Sequence, residues 1–125
     1  MGIMPTTISS LLQTRVPPQN IEAEISLLGS VLLESSTMDR VVDIITPEDF
    51  YKREHQSIFE GMLSLFSKHK PIDTISVANL LKEQGKLDDV GGNAYLASLV
   101  NSVPTASSAS YYAEIVRKKR ILRDR

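Results

Sequence analysis

The chain has 125 residues, of which 42% are hydrophobic and 23% charged, with a formal net charge of −1 and no cysteine. That length suits about one domain with a core large enough to need no staples, and the missing cysteine excludes disulfides and thiolate metal sites and fits a reducing cytoplasm. No apolar run approaches the ~20 residues that cross a bilayer, and the N-terminus lacks the basic region of a secretory signal, so no membrane contact is expected.

The near-zero charge conceals an asymmetry. Residues 111–125 carry six basic side chains (Arg117, Lys118, Lys119, Arg120, Arg123 and Arg125) against Glu114 and Asp124, a net of +4. The other 110 residues net −5, which makes the body a poor electrostatic host for nucleic acid. Aromatic residues make up 6% of the chain and tryptophan is absent, so the core must be built from Leu, Ile and Val.

Residues 1–17 are expected to form a flexible lead-in: residues 1–18 hold Pro5, Pro17 and Pro18 among Thr, Ser and Gln. Ile8, Leu11 and Leu12 can make a helical turn there, or the segment can act as an arm on a neighbour. Asn20 caps the helix that follows, with Glu22 and Glu24 in its positive first turn. Ile21, Ile25, Leu28 and Leu32 lie on one helical face, which Leu27, Val31 and Leu33 widen, so this helix is central. Gly29 inside it costs ~1 kcal/mol of helix propensity, which close packing of a neighbour would offset.

Met38, Val41, Val42 and Ile45 mark a short second helix that Ser36 or Thr37 can cap. Thr46-Pro47-Glu48-Asp49 is a further start signal and opens a single turn that carries Phe50 inward. Residues 53–69 make the clearest helix, with Ile58, Phe59, Met62, Leu65 and Phe66 as its apolar stripe. Glu54, Glu60, Ser64 and Lys68 form its wet side, and Pro71 stops it. Thr74 caps a helix from Ile75 to about Gln84, and Gly85 ends it as a left-handed cap. Gly91-Gly92 allows a tight turn. Asn93 caps the next helix, with Tyr95, Leu96, Leu99 and Val100 inward, and Pro104 ends it. Ser107 or Ser108 caps the last helix, whose apolar positions are Tyr111, Tyr112, Ile115, Val116, Ile121 and Leu122. That helix runs to Arg125 without a stop signal, so the natural protein is expected to continue.

No constellation of catalytic type emerges. His55 and His69 are fourteen residues apart and form no metal-ligand spacing, so each is expected at the surface or half-buried. The acidic pairs sit in first turns and loops, where capping explains them. Gly91-Gly92 lacks the pattern of a phosphate loop and no strand precedes it. The Arg117-Lys118-Lys119-Arg120 run reads as a solvated helix face, because one basic run without interleaved aromatics is a weak nucleic-acid footprint. Met38 and Met62 belong to the core. Tyr111 and Tyr112 point about 100° apart on a helix, so one of them can serve a partner surface.

The order and spacing of the motifs resemble the N-terminal domain of the bacterial replicative DNA helicase, the DnaB family. The residues that carry the likeness are Pro18-Gln19-Asn20-Ile21-Glu22-Ala23-Glu24, Leu28-Gly29, Asp49-Phe50-Tyr51 and His55-Gln56-Ser57-Ile58-Phe59. They continue as Pro71-Ile72-Asp73, Gly85-Lys86-Leu87, Val90-Gly91-Gly92-Asn93-Ala94-Tyr95-Leu96, Pro104-Thr105 and Tyr112-Ala113-Glu114-Ile115-Val116-Arg117. The likeness spans residues 17–125.

The resemblance implies an all-α domain: a compact bundle of about six short helices over residues 18–106, then the start of a C-terminal helical hairpin over residues 107–125. It implies that hairpins pair into dimers, that three dimers form a collar on a hexameric ring, and that the collar recruits the primase C-terminal domain and in some bacteria a helicase loader. The motor, with its ATP and Mg, would lie further along. This chain is therefore expected to hold no catalytic residue, cofactor or metal, no direct nucleic-acid site, and no ATPase or helicase activity, and to work in the bacterial cytoplasm at the replication fork. Tyr112, Ile115, Ile121 and Leu122 are the candidate subunit contacts, with core closure as the competing role. Two other readings stay open: a helix-turn-helix DNA-binding domain formed by the helices at 74–84 and 93–103, and a primase helicase-interaction domain. The second helix of the former contains no Lys or Arg for base contacts. A small hydrolase, the enzyme-class reading, lacks a nucleophile–base motif.

Overall fold

A computed structural model describes residues 16–125. Nearly all of the lead-in, with the turn considered at Ile8 to Leu12, lies outside the described residues. Six α-helices and one 3-10 turn follow in order: α1 (Ile21–Leu33), α2 (Thr37–Val41), the 3-10 turn (Pro47–Asp49), α3 (Arg53–Ser67), α4 (Thr74–Glu83), α5 (Gly92–Asn101) and α6 (Ala109–Arg123). The described residues contain no strand.

The widened apolar face of α1 makes it the central element. It packs mainly on α5 and α6, and also on α3 and α2. Leu27, Leu28 and Val31 are fully buried, whereas Leu33 is 44% exposed and does not join the inward face expected of it. Gly29 is where α5 comes closest: a Cβ there would collide with the Leu99 carbonyl oxygen. The missing side chain is what lets the two backbones meet, and that contact offsets the propensity cost. On the other side, α3 lays Ile58, Phe59 and Met62 into the same core and packs on α4 and the 3-10 turn. Phe50 enters from that turn as expected, with its ring centroid 5.2 Å from that of Phe59.

Several helix ends differ from the local signals. The cap of α4 is Asp73, whose Oδ1 accepts from the Ser76 N–H at 2.8 Å. Thr74, the expected cap, is already helical. The cap position of α5 is Gly91 rather than Asn93, which lies inside the first turn. Ser108 precedes α6 but makes no capping bond. α3 ends at Ser67, two residues earlier than expected. His69 takes a left-handed φ of 57° there, and the Lys70 N–H closes on the Leu65 carbonyl at 2.9 Å. Gly85 is the expected left-handed stop, with φ 71°.

Candidate functional site

The last helix divides along its length. Its first half places Ala109, Ala113 and Val116 in the core, all at most 1% exposed. Small side chains at this spacing let α6 lie close on α1. Its outer side is uncovered: Tyr111 is 67% exposed, Ile121 50% and Leu122 39%. Of the four candidate contact residues, Tyr112 and Ile115 lean half-buried against the core, while Ile121 and Leu122 face outward. Tyr111, Lys118 and Leu122 follow one another at helical spacing along this outer stripe, with the half-buried Ile115 at its edge.

The second half is held by polar contacts instead. Arg120 stands 3.6 Å from Asp49 and donates to Asp124 at 2.7 Å. Arg123 donates to the carbonyl of Pro18 and to that of Asp49, each at 2.9 Å, and its guanidinium lies 5.4 Å from the Tyr51 ring centroid. The basic run is therefore only partly the solvated face expected: Arg117 and Lys118 are exposed, but Arg120 turns toward the body. A further basic side chain, Arg40, donates to the Ala106 carbonyl at 2.9 Å and secures the approach to α6.

A buried polar line crosses the interior behind these contacts. Glu24 is 1% exposed, and its Oε2 accepts from the Tyr51 N–H at 2.7 Å. Its Oε1 accepts from His55 Nδ1 at 2.7 Å and from the Lys52 N–H at 3.4 Å. Glu24 thus caps α3 from another helix. His55 is fully buried, contrary to the surface or half-buried position expected of it. The other ring nitrogen, Nε2, meets the Tyr95 hydroxyl at 2.6 Å. Burial first, then the charges of Glu54 and Glu24, holds the Tyr95 phenol above its ordinary value of 10.0. Tyr95 reaches this position because Gly91 has φ 106°, and a Cβ at Gly91 would press on the Tyr95 Cβ at 2.7 Å.

A carboxylate, an imidazole and a hydroxyl in line have the form of a nucleophile triad. Here the hydroxyl is a phenol that ends against the ring and opens onto no substrate space. Surface hollows of about 400 Å³, beside Arg53, Lys86 and Asp89, and about 370 Å³, beside Ile75, Lys82 and Asn93, are lined by other residues. The line is a structural brace. It was missed in the sequence although a signal was present: Glu24 falls on the face of Ile21 and Leu28, and His55 on that of Ile58, Phe59 and Met62. Among the described residues no acidic or His cluster could hold a metal, no helix is long and apolar enough to cross a membrane, and no buried side-chain polar atom lacks a partner. The eight residues between α4 and α5 exceed the three or four of a helix-turn-helix.

These features define an all-α domain whose exposed chemistry lies on surfaces rather than in a cleft. Residues 16–118 match the model of the DnaB-like helicase N-terminal domain, and the chain belongs to that family. It is 43% identical over 116 residues to the replicative DNA helicase DnaC of Bacillus subtilis and 41% identical over 116 residues to the replicative DNA helicase DnaB of Geobacillus stearothermophilus. In each case the match covers 93% of this chain and 26% of the relative, so the chain spans about a quarter of the length of these helicases. The crystal structure of the N-terminal domain of DnaB helicase from Mycobacterium tuberculosis superposes with a TM-score of 0.85 at 41% identity, covering 86% of this chain and 75% of that one.

Proposed function

We propose that this chain is the N-terminal scaffold and docking domain of an ATP-dependent replicative DNA helicase. In that role it contributes to a hexamer built as a trimer of dimers and helps recruit primase to the replication fork. A helicase loader is a further partner, while ATP and Mg belong to a motor elsewhere in the longer protein. The observation that carries the reading is the divided last helix: its inner side closes the core, and its outer side leaves Tyr111, Ile121 and Leu122 uncovered. Apolar side chains left uncovered on the outer side of a helix suit pairing with another helix.

The docking part is tested by titrating the labelled chain with the C-terminal domain of the cognate primase and following backbone amide shifts. Localised, saturable shifts are expected. Their absence, both here and in a longer chain that completes the helical hairpin, would overturn docking. The assembly part is tested by light scattering, where the 125-residue chain should be monomeric or weakly associating. A stable hexamer from it would show that the hairpin is not needed.

A further inference from the structure

We propose that residues 46–52 form a latch that fixes the direction of the last two turns of α6, and that the Glu24–His55–Tyr95 line sets this latch from inside. The segment is gripped on two sides. On the outer side, Arg120 and Arg123 reach Asp49, and Arg123 stacks on Tyr51. On the inner side, the Tyr51 and Lys52 amides are held by the buried carboxylate of Glu24. Two further contacts stiffen the segment between the grips: Asp49 Oδ2 accepts from the Thr46 N–H at 2.8 Å, and the Gln56 side-chain amide donates to the Phe50 carbonyl at 2.8 Å. Phe50 is 1% exposed and pins the middle.

The inner grip depends on the line behind it. The Glu24 carboxylate aims one oxygen at Tyr51 while the other meets His55, and the Tyr95 hydroxyl holds the far nitrogen of that ring, with the two rings 13° from parallel. A change at Tyr95 on α5 therefore has a continuous hydrogen-bonded route to the Tyr51 backbone, and from the Tyr51 ring to Arg123. Tyr95 and Arg123 share no hydrogen bond of their own. The inference rests on contacts within this chain and holds whatever the outer face of α6 binds.

Coupling of this kind must act in both directions. Amide hydrogen exchange of the 125-residue chain reads it, with the α4 amides as the internal control. In Tyr95→Phe, which removes one hydrogen bond, the Tyr51 and Lys52 amides and those of residues 121–123 should exchange about fivefold faster while α4 is unchanged. In Arg123→Gln, made at the outer grip, the His55 and Tyr95 amides, which Arg123 does not touch, should speed up in return. If either variant loosens only its own end, the two grips are independent and the latch is wrong. If Tyr95→Phe fails to fold, the Arg123→Gln result decides alone, and unchanged His55 and Tyr95 amides overturn the proposal.

Discussion

The two halves of α6 are joined to the domain by different forces. Ala109, Ala113 and Val116 are sealed into the common core, so their contacts form and break with the whole fold. Arg120 and Arg123 hold the second half through a few polar contacts at the surface. Apolar burial at the first half is worth ~25 cal/mol per Å² and is shared cooperatively, whereas exposed ion pairs are worth only ~0–1 kcal/mol each. The contrast implies that the end of α6 can be loosened without unfolding the domain, and that its start cannot.

The largest effect is expected from Ala113→Leu. A bulkier side chain at this fully buried site must push α6 off α1, and urea unfolding should report a loss of about 3 kcal/mol across the whole domain. A neutral outcome would show that the first half is not close-packed. Glu24→Gln comes next. It leaves His55 facing an amide and removes the charged acceptor of two backbone amides, and should cost about 2 kcal/mol. Arg123→Ala should cost under about 1 kcal/mol by the same measurement, because its partners remain within reach of water. A loss as large as that of Ala113→Leu would mean that both halves belong to one cooperative unit.

The smallest effect is one of pH. The folded phenol of Tyr95 is held above its ordinary value, so the folded state keeps that proton longer than the unfolded chain does. Stability from this source is complete below pH 10.0 and is lost as pH rises through the higher folded value. The alkaline fall in stability should therefore be shallower in Tyr95→Phe than in the parent. An identical fall in both would show that the phenol is not shielded.

Much of the fold was legible because its causes are local. The stripe of α3, the turn at Thr46 and Pro47 that delivers Phe50 and the stop at Gly85 all follow from side chains within a few residues of one another. Helix ends were less legible where two capping residues compete within one or two positions: Asp73 displaced Thr74, and Gly91 displaced Asn93. The polar line was not found because its partners lie 31 and 40 residues apart, and only the packing of α1, α3 and α5 brings them together. For the same reason the grip of Arg123 on Pro18 and Asp49, across 105 and 74 residues, left no trace in any sequence window. The outward face of α6 was half legible: helical geometry separates Tyr111 from Tyr112, but which of them meets the core depends on where α1 lies.

The outer stripe of α6 is proposed as the surface through which this domain meets its like. A concentration series of the labelled chain, from micromolar to millimolar, tests it most directly through backbone amide shifts. Concentration-dependent shifts are expected to be confined to Tyr111, Lys118 and Leu122 and their neighbours on that stripe. Shifts centred elsewhere, for example around the 80% exposed Ile75 on α4, or none even in a longer chain that completes the helical hairpin, would overturn that role.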